Sequence, residues 1–242
     1  MEKKYLDSFV DKYHLNGMVE SVTWNATDTE TICKFVTPTK DCAGSVTISK
    51  DLDLGDSNIS IFSTSQLNRM LNIMDSFITV EVVKGNQGIP YQMKVKDKDF
   101  DLDFYLASED LIPNVPSINE PEQYDVEFTI DEDFIKNFTK AHSALEKPNR
   151  FVIGCGIEDE EKYVELTVGD SATFANKIKT RQNAHFLMGI EELPFSANVL
   201  KEILSVNKNA TGKAYINEAG LLKLIFTEGD ITSTYFMVRL SE

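Results

Sequence analysis

Four stretches of the chain repeat apolar residues at helical spacing, and the segments between them alternate with period two. "KKYLDSFVDKYHL" from Lys3 places Leu6, Phe9, Val10 and Tyr13 on one stripe. "STSQLNRMLNIMDS" stacks Leu67, Met70, Leu71 and Met74 behind cap candidates at Ser63 to Ser65. "DEDFIKNFTKAHSAL" sets Phe134, Phe138, Ala141 and Leu145 in line, with Asp131 as N-cap and acids in its first turn, where they suit the helix dipole. "PFSANVLKEILSVN" has Ser196 as cap and aligns Val199, Leu200, Ile203 and Leu204. The four helices start near residues 3, 64, 131 and 196, a nearly even interval of 61 to 67 residues.

Between them the pattern predicts short strands. "VESVTW", "TICKFV", "SVTIS" and "NISIF" follow the first helix, and "FITVEVV", "PYQMKVK" and "FDLDFYLA" the second. "NRFVIGCGI", "KYVELTV" and "NAHFLMGI" follow the third, and "GKAYIN", "LLKLIF" and "STYFMVRL" the fourth. Turn residues at Gly85-Asn86-Gln87-Gly88, Asn217-Glu218-Ala219-Gly220 and Glu228-Gly229-Asp230 mark hairpins, so antiparallel sheets are expected rather than βαβ units. Leu67, Met70 and Leu71 superpose on Leu200, Ile203 and Leu204 at a shift of 133. The stretch "LIPNVPSINEPEQYD" has three prolines and no periodicity. The expectation is a duplicated α+β domain: residues 1–110, a connector over 111–125, and residues 126–242.

Composition changes this picture in one respect. The 242 residues hold 24 Lys and Arg against 39 Asp and Glu, a formal charge of -15. Taken as an even coat, that charge argues against nucleic acid, whose affinity rests on phosphate neutralisation. The helices carry the opposite balance. Apart from acidic caps they hold nine bases (Lys3, Lys4, Lys12, Arg69, Lys136, Lys140, Lys147, Lys201 and Lys208) against six acids (Glu2, Asp7, Asp11, Asp75, Glu146 and Glu202). Lys136 and Lys140, with Lys147 if the helix runs on, fall opposite the apolar stripe of the third helix. A lysine on the outer face of a helix is usually only solvated; its coincidence with a repeated architecture raises the functional reading.

Candidate chemistry is sparse. Cys33, Cys42 and Cys155 form no Cys-x-x-Cys and read as reduced thiols in a cytosol, Cys33 and Cys155 packing inside apolar strand-like runs. The histidines are dispersed, and no P-loop, G-x-S-x-G, dinucleotide or zinc signature occurs. Neither metal nor cofactor is expected. Asp97, Asp99, Asp101 and Asp103 alternate, which fits a solvated strand face with Phe100, Leu102 and Phe104 inward better than a cation site. "ANKIKTR" over 175–181 is the one clearly basic run, either a loop approaching nucleic acid or plain exposed surface. No apolar run reaches membrane-span length, and the start "MEKKYLDSFV" lacks the apolar region of a signal peptide.

The even helix–strands–helix–strands beat, the acidic connector, the opening "YDVEFTIDEDFIKNFTKAHSALEKPNRFVIGCG" of the second half and the closing "STYFMVRL" resemble DNA sliding clamps, the two-domain PCNA-like type. The start directly at a helix and the length are similar to clamps of T-even-like tailed phages. The resemblance implies the DNA-clamp fold, with two helices per domain on antiparallel sheets and assembly as a homotrimeric ring around duplex DNA. It implies a non-catalytic processivity factor in the host cytoplasm, with DNA polymerase, clamp loader and the late transcription machinery as partners. DNA would then meet Lys4, Lys12, Arg69, Lys136, Lys140, Lys147, Lys201 and Lys208, and partner peptides would anchor near Leu111, Ile112, Val115, Val238 and Leu240. Two rivals stand beside it. One is an acidic binding or DNA-mimic module that encircles nothing. The other is a small carboxylate- or metal-dependent hydrolase built on Asp99 and Asp101.

Overall fold

A computed structural model describes residues 1–169 and 175–241. The chain divides into two units. The first comprises residues 1–38, 43–116 and 229–233, and the second residues 39–42, 117–228 and 234–242.

In the first unit, α1 (Lys3–His14) is followed by β1 (Val22–Ala26), β2 (Thr31–Val36), β3 (Cys42–Ile48) and β4 (Ser57–Ile61). After α2 (Thr64–Leu71) come β5 (Thr79–Lys84), β6 (Pro90–Lys96) and β7 (Asp101–Tyr105). β1 pairs antiparallel with both β2 and β4, β2 pairs with β3, and β5-β6-β7 form a separate three-stranded sheet. The alternation of each strand does the sorting. Val22, Trp24 and Ala26 are buried, as are Leu102 and Phe104, while Asp101 and Asp103 point outward. Phe9, Tyr13 and Trp24 meet edge-on with ring centroids 5.4 to 6.3 Å apart, joining α1 to the sheet. Phe100, expected inside, is exposed. It sits in the β6–β7 turn, where Asp97 Oδ1 accepts from the amides of Asp99 and Phe100 and holds the chain before the alternation of β7 begins.

In the second unit, β8 (Val126–Ile130) leads into α3 (Glu132–Ala144), β9 (Arg150–Glu158), β10 (Glu161–Gly169) and β11 (Lys177–Phe186). Then follow β12 (Leu193–Ser196), α4 (Ala197–Val206), β13 (Thr211–Ile216), β14 (Leu221–Glu228) and β15 (Ile231–Val238). The antiparallel order β12-β9-β10-β11-β8-β13-β14 runs through it. Phe138 of α3 meets Phe151 of β9 edge-on at 5.5 Å, and Phe151 stacks on Phe195 of β12 at 5.7 Å. β13 and β14 lie close because residue 212 is glycine: a Cβ there would stand 2.6 Å from the Phe226 ring.

Three helix starts follow the expected caps. The side chains of Ser63, Asp131 and Ser196 accept from the amides of Gln66, Phe134 and Val199. α1 has no side-chain cap. Each unit also ties its helix pair with a histidine. His14 bonds Ser65 Oγ at 3.1 Å and Asn68 at 3.3 Å, and His142 bonds Asn198 Oδ1 at 3.1 Å. The last residues of the expected connector are fixed to the second unit. Tyr124 packs on Tyr215 at 5.7 Å, Lys223 pairs with Glu120, and the Asp125 amide donates to the Ile216 carbonyl.

Candidate nucleic-acid interface

In α3 the buried residues Phe134, Ile135, Phe138 and Ala141 face the sheet, which leaves Lys136, Thr139, Lys140 and Ser143 outward. In α4, Val199, Leu200, Ile203 and Leu204 are buried and Ser205 is exposed, with Lys201 at its flank. The two outward faces border one groove of about 330 Å³. Ile135 lies at its base, and Lys136, Thr139, Lys140, Lys201, Ser205 and Lys208 form its walls. Among the described residues no carboxylate lines it. Lys201 pairs with Glu202 at 2.7 Å, whereas no ion pair among the described residues involves Lys136, Lys140 or Lys208. Such a surface suits a polyanion held by its charge. Flexible lysine ammoniums among short hydroxyls offer attraction without the fixed fork geometry that arginine brings to phosphate.

α3 ends at Ala144, and Leu145 already has extended backbone. Lys147 is therefore not on the helix. It is exposed on the loop into β9, with φ of 47°.

The first unit is arranged differently. The outward stripe of α1 is Lys4, Asp7, Ser8 and Asp11. Lys4 pairs with Glu2 at 2.6 Å and Lys3 with Asp7 at 3.0 Å. Lys12, expected on the open face, is 1% exposed. It falls one turn after Phe9 and so on the packed side of α1. Arg69 is exposed on α2, beside Asn72.

His14, Glu20 and Ser65 lie close together at the end of α1 and the start of α2. Ser65 and Glu20 both address His14 Nε2, at 3.1 and 3.5 Å, so they do not take the opposite ring nitrogens that a nucleophile–base–orienter relay needs. Glu20 instead caps α2, its carboxylate accepting from the Ser65 amide at 2.9 Å and from the Ser65 hydroxyl. Burial alone would raise the Glu20 carboxyl, but the Ser65 hydrogen bonds and His14 together lower it. Asp97 is likewise occupied, since its Oδ2 accepts from the Asp75 amide at 2.7 Å. Asp101 pairs with Lys96, and Asp99 faces Lys98.

Of the candidate anchor residues, Leu111 is 58% exposed in a 3-10 turn, and Ile112 and Val115 are half-buried. Val238 is 46% exposed. The Leu240 amide donates to the Pro194 carbonyl at 2.8 Å, and Leu240 borders a cavity of about 850 Å³ with Pro194, Glu192, Glu218 and Arg239.

Sequence reading missed the basic edge. Residues 177–181 begin β11 and are not a loop. Lys179 and Arg181 pair with Glu165 on β10, Arg181 also reaches Glu158, and its guanidinium stacks on Tyr163 at 4.4 Å. The period-two order Lys177-Ile178-Lys179-Thr180-Arg181 was the available signal. Ala184, His185 and Phe186 of β11 pair with β8, and among the described residues 177–183 pair with β10 alone. β7 pairs with β6 alone and shows Asp101, Asp103 and Tyr105 outward.

No family model matches the chain, and no curated protein matches it. Solved structures do. Proliferating cellular nuclear antigen from Entamoeba histolytica aligns with a TM-score of 0.74 over 99% of this chain and 96% of that one, at 14% identity. A structure of the C-terminal region of FEN-1 bound to A. fulgidus PCNA aligns with a TM-score of 0.75 over 100% and 97%, at 15% identity. The chain has the PCNA-like, DNA-clamp fold, α+β with four helices on antiparallel sheets.

Proposed function

We propose that this chain is a sliding clamp: three copies close a ring around duplex DNA, and the ring tethers a replicative polymerase. The observation that carries the reading is the lysine-walled groove between α3 and α4, in which Lys136, Lys140 and Lys208 have no ion pair among the described residues, on a chain of charge -15. In a ring lined by helices, acids on the outer sheets lie beyond the Debye length of about 8 Å, so the duplex responds to the lining rather than to the net charge. Attraction through a few lysines is independent of sequence and sensitive to salt, which lets a ring slide.

The open strands support self-assembly. Among the described residues, the acidic strand β7 and residues 177–183 of the basic strand β11 each have an unpaired edge. Unlike edges joined head to tail make a heterologous contact, which closes into a ring when the rotation allows. A polymerase, a clamp loader and, for a phage-encoded clamp of the T-even-like type, the late transcription machinery are the partners of this reading. Leu111, Ile112, Val115, Val238 and Leu240 are proposed as their anchor points. The protein acts as a scaffold and catalyses no reaction.

Light scattering after gel filtration across a concentration series tests the assembly. A species near three times 27.3 kDa that dissociates on dilution is expected. A monomer at every concentration rules out the self-assembled ring and leaves the acidic binding module. Lys136→Glu with Lys140→Glu should weaken loading and processivity with the far-UV spectrum unchanged, and normal stimulation of the polymerase by that variant would refute the DNA-facing role of α3.

A further inference from the structure

The two helix pairs of this chain are not electrostatically equivalent. In the first unit the bases of α1 are already neutralised or hidden: Lys3 and Lys4 are paired with Asp7 and Glu2, and Lys12 is buried. The outward stripe of α1 carries Asp7 and Asp11 as well as Lys4. Arg69 of α2 has no ion pair among the described residues. In the second unit Lys136, Lys140, Lys147 and Lys208 all lack a carboxylate partner among the described residues, and three of them wall the same groove.

The difference matters because phosphate binding draws on cations that are free to exchange small counterions. A lysine already held by a carboxylate must give up that partner to gain a phosphate, so its net contribution is small. An acidic residue on the same stripe subtracts further.

Resting on the clamp reading, we infer that DNA contact is carried mainly by the second unit: its α3–α4 groove holds the phosphate backbone, and α1 of the first unit stands as a weakly interacting spacer.

The test places a photoreactive probe on each face. Ser8→Cys on α1 and Ser205→Cys on α4 are labelled with a benzophenone maleimide and irradiated with a short duplex at low ionic strength. Labelled wild-type protein sets the background from Cys155, since Cys33 and Cys42 are buried. The expected yield is about fivefold or more greater at position 205, and both signals fall as salt rises. Binding of the same duplex, followed by anisotropy, should show a salt slope shallower by about 1.8 for Lys136→Gln with Lys140→Gln, the change for two lost phosphate contacts. Equal crosslinking at the two positions, or more at position 8, overturns the asymmetry and leaves the clamp reading standing. Absence of crosslinking at both positions, with no binding by the wild type, overturns both.

Discussion

Asn207 Nδ2 donates to Tyr235 Oη at 3.0 Å and to the Ile203 carbonyl at 2.8 Å, with both side chains fully buried. The amide thus closes the last turn of α4 and ties it to β15. Tyr235→Phe keeps the ring, including its edge contact with Phe226 at 6.1 Å, and removes the hydroxyl that Asn207 faces. A buried polar group deprived of one partner costs about 1–2 kcal/mol. Calorimetry should show a Tm lowered by a few degrees, with near-UV dichroism retained. An unchanged Tm would mean that this bond contributes nothing net.

Trp24 is the single tryptophan, and it belongs to the first unit. Its fluorescence therefore reports that unit, while far-UV dichroism reports both. Phe9 and Trp24 are 0% exposed, with ring centroids 5.4 Å apart. Phe9→Ala empties a ring-sized volume in this cluster and should destabilise the first unit by about 3–5 kcal/mol. In denaturant, the fluorescence transition of the variant should move to lower concentration and separate from the main dichroism transition. Transitions that shift together would show that the two units unfold as one.

The helices and most strands were legible because one face of each is buried, which imposes a period on the sequence. Asp131, Ser63 and Ser196 could be read as caps because the residue type and the bond it makes are both local. What escaped depended on partners distant in sequence. Lys12 reads as outward by type, yet it is packed, and only the neighbours of α1 decide that. The four-residue β12 is too short to display alternation. Leu187 and Met188 read as the continuation of a strand that ends at Phe186, because apolar residues exposed on a loop look like core in a sequence. The groove of four lysines joins α3 to residues more than sixty positions away, so the pattern revealed its bases but not their convergence.

Glu20 gives a pH signature. Its folded carboxyl is lowered below the ordinary value of 4.5, so the unfolded chain binds a proton more readily than the folded one. The stabilisation is complete above pH 4.5 and is lost as pH falls through the lower folded value. Glu20→Gln should therefore lower Tm at neutral pH, and the difference from wild type should shrink below pH 4.5. A difference that stayed constant down to about pH 3, well below the ordinary glutamate value, would assign the loss to geometry rather than charge.

The open strands yield the sharpest test of assembly. Across the sheet of the first unit the outward charges alternate, with Glu81 opposite Lys94 and Lys94 opposite Asp103. In the second unit Arg181 lies opposite Glu165. Setting β7 of one copy beside β11 of another continues the alternation, whereas β7 beside β7 or β11 beside β11 would place like charges together. The contact is thereby directed head to tail. Asp101→Lys with Asp103→Lys makes both edges basic and should shift the concentration at which the oligomer dissociates upward by tenfold or more, since cross-strand pairs contribute about 0.2–1 kcal/mol each and like charges oppose pairing. Combining these changes with Lys179→Glu and Arg181→Glu restores opposite signs, and light scattering should show the oligomer recovered. Loss without recovery in the four-fold variant would mean that the edges do not meet, and an unaffected oligomer in the double variant would place the contact elsewhere.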